Sequence, residues 1–125
     1  MDYPMEYYQF FIKFNEGDYY TCHDLLEEIW MTDKQNLFLK GLLQMSVAIY
    51  HYEYGNVKGA RSMFERAIEC FEAYPTYYWG LNTKDLSAFV NECLERIPPL
   101  ESVPFDEVKT LPELPRIYLY LEEDV

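Results

Sequence analysis

"AIYHYEYGNVKGARSMFERAIE", residues 48–69, reads as two helices joined by a tight turn. Gly55 suits a left-handed helix end, and Asn56 suits the N-cap of the next helix. Ala60, Phe64, Ala67, Ile68 and Phe71 then recur at helical spacing. Upstream, Leu37, Phe38, Leu39, Leu42, Leu43, Met45, Val47, Ala48, Ile49 and Tyr50 leave almost no polar side on the preceding segment. A helix apolar nearly all round belongs in the centre of a bundle. Its spacing predicts a helix from Thr32, with Thr32 and Gln35 as a capping box, to Tyr54.

The same grammar appears earlier. "GDYYTCHDLLEEI" laid over "GNVKGARSMFERA" pairs Gly17 with Gly55, Asp18 with Asn56, Cys22 with Ala60, Leu26 with Phe64 and Glu27 with Glu65. The first helix starts near Pro4 and carries Tyr7, Phe10, Phe11 and Phe14 on one face. The second spans residues 19–31, behind Asp18 as N-cap. A fifth helix, capped by Asn82 or Thr83, presents Leu86, Phe89, Val90, Cys93, Leu94 and Ile97. Between helices four and five lies an aromatic connector, "YPTYYWG". The expected fold is all-α: a compact bundle of two helical hairpins, similar in grammar to tetratricopeptide hairpins, plus a fifth helix.

Residues 98–125 differ in kind. They hold five of the seven prolines and no glycine, with seven acids against two bases. No helix runs through "PPLESVP" or "LPELP". Leu111, Leu114, Ile117, Tyr118, Leu119, Tyr120 and Leu121 still make the segment apolar. The expectation is a helical domain at 1–97 and a Pro-rich acidic strap at 98–125 packed on it, with "RIYLYL" strand-like or helical. The alternative is a free arm that docks a partner.

Charge narrows the function. Ten Lys and Arg face twenty-two Asp and Glu, for a net charge of −12. That balance argues against nucleic acid and against an anionic membrane surface. It favours solubility and leaves room for a basic or cationic partner, the plainer reading being a solvated acidic surface. The three cysteines, Cys22, Cys70 and Cys93, are widely spaced at apolar positions and form no CxxC pair. They read as reduced core residues of a cytoplasmic protein. The N-terminus carries acid where an export signal needs base. "GNVKGA" lacks the ending of a phosphate loop.

Two polar rows carry the candidate chemistry. Tyr20, His23, Glu27 and Trp30 follow one another by three- and four-residue steps on the second helix. Lys40, Gln44 and His51 form a narrow seam on the third. If the rows face each other, His23 and Glu27 meet Gln44 and His51, walled by Tyr20 and Trp30. Two imidazoles and a carboxylate, His23, Glu27 and His51, are a common ligand set for a divalent metal in a hydrolase-like site. The same groups equally make a hydrogen-bonded lock between helices. The reading leans to the lock: a non-enzymatic binding or scaffold module for a protein partner or a small ligand, with no cofactor expected and a divalent metal left open.

"FNEGDYYTCHDLLEEIW" followed by "LFLKGLLQMSVAIYHYEYGNVKGA" resembles the domain-of-unknown-function 309 family of bacteria and plastids. Phe14, Asn15, Gly17, Tyr19, His23, Asp24, Leu26, Glu27 and Trp30 match the first half of its pattern. Gly41, Gln44, Ala48, His51, Gly55, Asn56, Gly59 and Ala60 match the second. The resemblance covers roughly residues 10–75. It implies an all-helical fold and a cytoplasmic or plastid-type setting. It implies no activity, and it places His23, Glu27, Trp30, Gln44 and His51 in a shared pattern.

Overall fold

The computed structural model describes residues 2–122. Among them are five α-helices: α1 (Met5–Glu16), α2 (Tyr19–Trp30), α3 (Leu37–Glu53), α4 (Val57–Glu72) and α5 (Thr83–Arg96). A two-residue hairpin, β1 (Tyr77–Tyr78) and β2 (Leu81–Asn82), precedes α5, and a 3-10 helix spans Phe105–Thr110. Each helix packs on the next in sequence, so α1–α2 and α3–α4 are two hairpins with α5 beside them. None of these helices is long and apolar enough to cross a membrane.

The caps set the helices. Asp18 Oδ1 accepts from Thr21 N at 3.1 Å, and Asn56 Oδ1 accepts from Gly59 N at 2.9 Å. Asn82 Oδ1 takes both Lys84 N and Asp85 N at 3.0 Å, which makes it, not Thr83, the cap of α5. The repeat is therefore geometrical: Gly17 and Gly55 end their helices at φ 83° and 85°. The start of α3 differs from the expected Thr32–Gln35 box. Thr32 Oγ1 donates to Ile29 O at 2.8 Å and closes α2 instead. Asn36 caps α3 by accepting Leu39 N at 3.2 Å. Its side chain reaches an orphan helical N–H, so five residues expected in α3 form a turn.

α3 is the central element, with Phe38, Leu39, Leu42, Met45 and Ala48 fully buried. Phe10 and Phe14 from α1, Leu26 from α2, and Phe64 and Phe71 from α4 complete the core. Gly41 lets α3 and α4 close up: a Cβ there would lie 2.7 Å from the Phe71 ring and 3.0 Å from Cys70 Cβ.

The aromatic connector holds a turn that its sequence did not announce. Trp79 and Gly80 both adopt positive φ, 48° and 74°, as a two-residue hairpin turn requires. A tryptophan there is strained. Packing holds it: its ring lies 5.3 Å from Tyr3 and 5.2 Å from Tyr7, and Tyr7 Oη donates to its carbonyl at 2.6 Å.

Residues 98–122 run over the ends of the helices. Lys58 N donates to Glu101 O and Val103 N to Gly55 O, both at 2.9 Å. Val103 O sits so close that a Cβ at Gly55 would lie 2.2 Å from it. Tyr52 Oη donates to Pro112 O. Asn15 grips the Leu119 backbone twice, Nδ2 to O at 2.9 Å and Leu119 N to Oδ1 at 2.7 Å. Glu122 N donates to Gly80 O at 2.7 Å. Leu111 and Leu119 are buried. "RIYLYL" carries no regular secondary structure, because its backbone bonds go to Asn15 and not to a ladder or a helix. Residues 123–125 of the expected strap lie outside the described residues.

Candidate functional site

α2 displays Tyr20, His23, Glu27 and Trp30 along the edge facing α3. Two contacts fix the antiparallel match. The Tyr20 ring lies 5.3 Å from Tyr50, near the end of α3, and Lys40 Nζ stands 5.9 Å from the centre of the Trp30 ring, near its start. Lys34 Nζ covers the same indole at 6.0 Å. Trp30 Nε1 is buried without a hydrogen-bond partner among the described residues.

His23 stays on its own helix. Nε2 lies 3.0 Å from Glu27 Oε2, and Nδ1 lies 3.2 Å from Asp24 Oδ1. The His23 side chain is 36% exposed and that of Glu27 50%. An ion pair this wet contributes little. His23→Ala is therefore expected to lower the unfolding free energy by less than about 0.5 kcal/mol in urea titration. A loss above roughly 1.5 kcal/mol would mark an interhelical lock.

Of the second row only Lys40 meets the first, over Trp30; Gln44 and His51 bond elsewhere. Gln44 is buried, and its Oε1 accepts the Cys70 thiol of α4 at 3.4 Å. His51 Nδ1 lies 3.5 Å from Asn56 Nδ2, whose amide is oriented by the cap bond at the start of α4. The expected meeting of His23 and Glu27 with Gln44 and His51 is not made. Gln44 instead bonds to α4, against which Gly41 packs closely. The trio His23, Glu27 and His51 is likewise not assembled. Among the described residues no three His, Cys, Asp or Glu side chains are grouped to hold a metal ion.

Burial holds the His51 imidazole below its ordinary pKa. Protonation of Nδ1 would also set a donor against the Asn56 amide. A depressed histidine stabilises the fold above its unfolded value, about 6.5, and that stability is lost as pH falls through the lower folded value. Melting temperature is expected to fall as pH drops below about 6.5, with His51→Gln flattening that part of the profile. A profile unchanged by His51→Gln would refute the assignment.

One constellation escaped the sequence. Tyr20, Tyr50, Tyr54 and Phe105 form a continuous row of rings, with centroids 5.3, 4.6 and 5.3 Å apart in turn. Tyr20 is 57% exposed, Tyr54 55% and Phe105 67%. The one-turn spacing of Tyr50 and Tyr54 is visible in the sequence. The arrival of Phe105 from the C-terminal segment is not. Separately, an open cleft of about 590 Å³ runs between α5 and the C-terminal segment, lined by Asp85, Phe89, Glu92, Glu95, Arg116 and Ile117.

Part of the chain is similar in sequence to known proteins. The chain is 33% identical over 75 residues to an uncharacterized protein, YpuF, of Bacillus subtilis, covering 57% of this chain and 43% of that one. It is 28% identical over 83 residues to an uncharacterized protein of Aquifex aeolicus, covering 64% of this chain and 25% of that one. The chain therefore aligns with less than half the length of either relative. No solved structure matches it. Residues 7–63, from α1 into α4, match the family described as a domain of unknown function (DUF309). That matched stretch holds His23, Glu27, Trp30, Gln44 and His51 together with Tyr20, Tyr50 and Tyr54.

Proposed function

We propose that the chain is a non-enzymatic binding module that holds a protein segment on the exposed aromatic row of α2, α3 and the 3-10 helix. The carrying observation is the continuity of that row. Single exposed aromatics are ordinary, but contiguous ones mark interaction surfaces, and tyrosine is enriched in interface cores. The polar residues support the reading, since His23, Glu27, Gln44 and His51 are engaged in local structural contacts. The three free thiols, two of them buried, fit a reducing, cytoplasmic-type compartment.

The test is a photo-crosslinking phenylalanine analogue at position 54, compared with position 77 on the hairpin, where the tyrosine is 60% exposed. A discrete protein adduct is expected from position 54, absent from position 77 and lost on Phe105→Ser. Equal adducts at both positions, or none at 54, would overturn the reading.

A further inference from the structure

We infer that the segment taken by this face is basic and arginine-bearing; the inference rests on the binding reading above. Ring faces carry the negative lobe of the aromatic quadrupole and attract cations. This protein already shows the pairing twice. Lys34 and Lys40 cover Trp30, and the Arg116 guanidinium lies 5.3 Å from the Tyr118 ring centre. No cation of the described residues stands over Tyr20, Tyr50, Tyr54 or Phe105.

The stretches that carry the row are predominantly acidic. The stretches 19–30, 41–54 and 105–110, which carry its four rings, hold Asp24, Glu27, Glu28, Glu53, Asp106 and Glu107 against one base, Lys109, with Arg116 acting on Glu53 from the C-terminal segment. All six acids are exposed. Rings edged by carboxylates suit a side chain that stacks through a flat face and donates through its edge. The guanidinium does both, whereas an ammonium offers only a compact charge. Arginine is therefore expected to be favoured over lysine here, beyond what the net charge of −12 gives either.

The full chain is titrated with capped nona-arginine and nona-lysine peptides, with amide chemical shifts and calorimetry as readouts. Nona-arginine is expected to bind more tightly, to shift amides around residues 20, 50–54 and 105–107, and to compete with the position-54 adduct. Tyr20→Ser with Tyr54→Ser, both exposed positions, should weaken it about tenfold. Asp24→Asn with Asp106→Asn should also weaken it, while Glu92→Gln with Glu95→Gln in the α5 cleft should not. Equal binding of both peptides with no effect of the ring substitutions would reduce the interaction to net charge and overturn the inference. Shifts confined to the α5 cleft would also overturn it. An adduct that nona-arginine does not displace would leave the binding module standing and refute its basic partner.

Discussion

Phe38→Ala is expected to lower the unfolding free energy by about 3–5 kcal/mol. Phe38 is fully buried at the junction of three elements, its ring 6.1 Å from Phe71, 6.0 Å from Tyr74 and 5.1 Å from Tyr78. Truncation removes the ring's transfer energy and opens a cavity between α3, α4 and the hairpin. Close-packed neighbours collapse into such a cavity only in part. A loss of that size takes a large share of a typical domain's stability and should drop the melting temperature by roughly 10–20 °C. Chemical denaturation and calorimetry would read it directly. A loss below about 1 kcal/mol would mean that the α3–hairpin junction is not a close-packed core.

Leu119→Ala is expected to lower stability by about 2–4 kcal/mol, and to speed tryptic cleavage at Arg116. Leu119 is 3% exposed although it belongs to a segment without regular structure, and Asn15 holds its backbone on both sides. Losing the side chain weakens the anchor that keeps residues 116–122 on α1. Tyr120→Ala, at a residue 73% exposed, should change neither stability nor cleavage and serves as the control. Equal behaviour of the two variants would show that the C-terminal segment does not hold to the helical body in solution.

Local features are legible in the sequence. Asp18, Asn56 and Asn82 cap their helices because an Asx oxygen reaches N–H groups two or three residues ahead, a contact encoded within four positions of the chain. The glycine stops at Gly17 and Gly55 are equally local. The Thr32–Gln35 box fails within the same range, because Asn36 competes for the role and Thr32 Oγ1 bonds backward to Ile29. The meeting of His23 and Glu27 with Gln44 and His51 fails for another reason. Periodicity fixes which residues share a face of α3, but not which neighbour that face meets. α3 packs closely on α4 at Gly41, Gln44 bonds to Cys70 there, and His51 contacts Asn56 in the turn that follows α3.

By itself the sequence determined an all-helical bundle of two hairpins and a fifth helix, and an acidic chain with polar residues in the right rows. Those follow from hydrogen bonding and apolar spacing over a few residues. Only the tertiary structure decided that His23 pairs with Glu27 on its own helix, that Trp79 takes a left-handed turn, and that Phe105 completes a row with Tyr20, Tyr50 and Tyr54. Each of these depends on the rotation of one element against another, or on where a distant segment comes to rest. Both are set by packing between residues far apart in the chain.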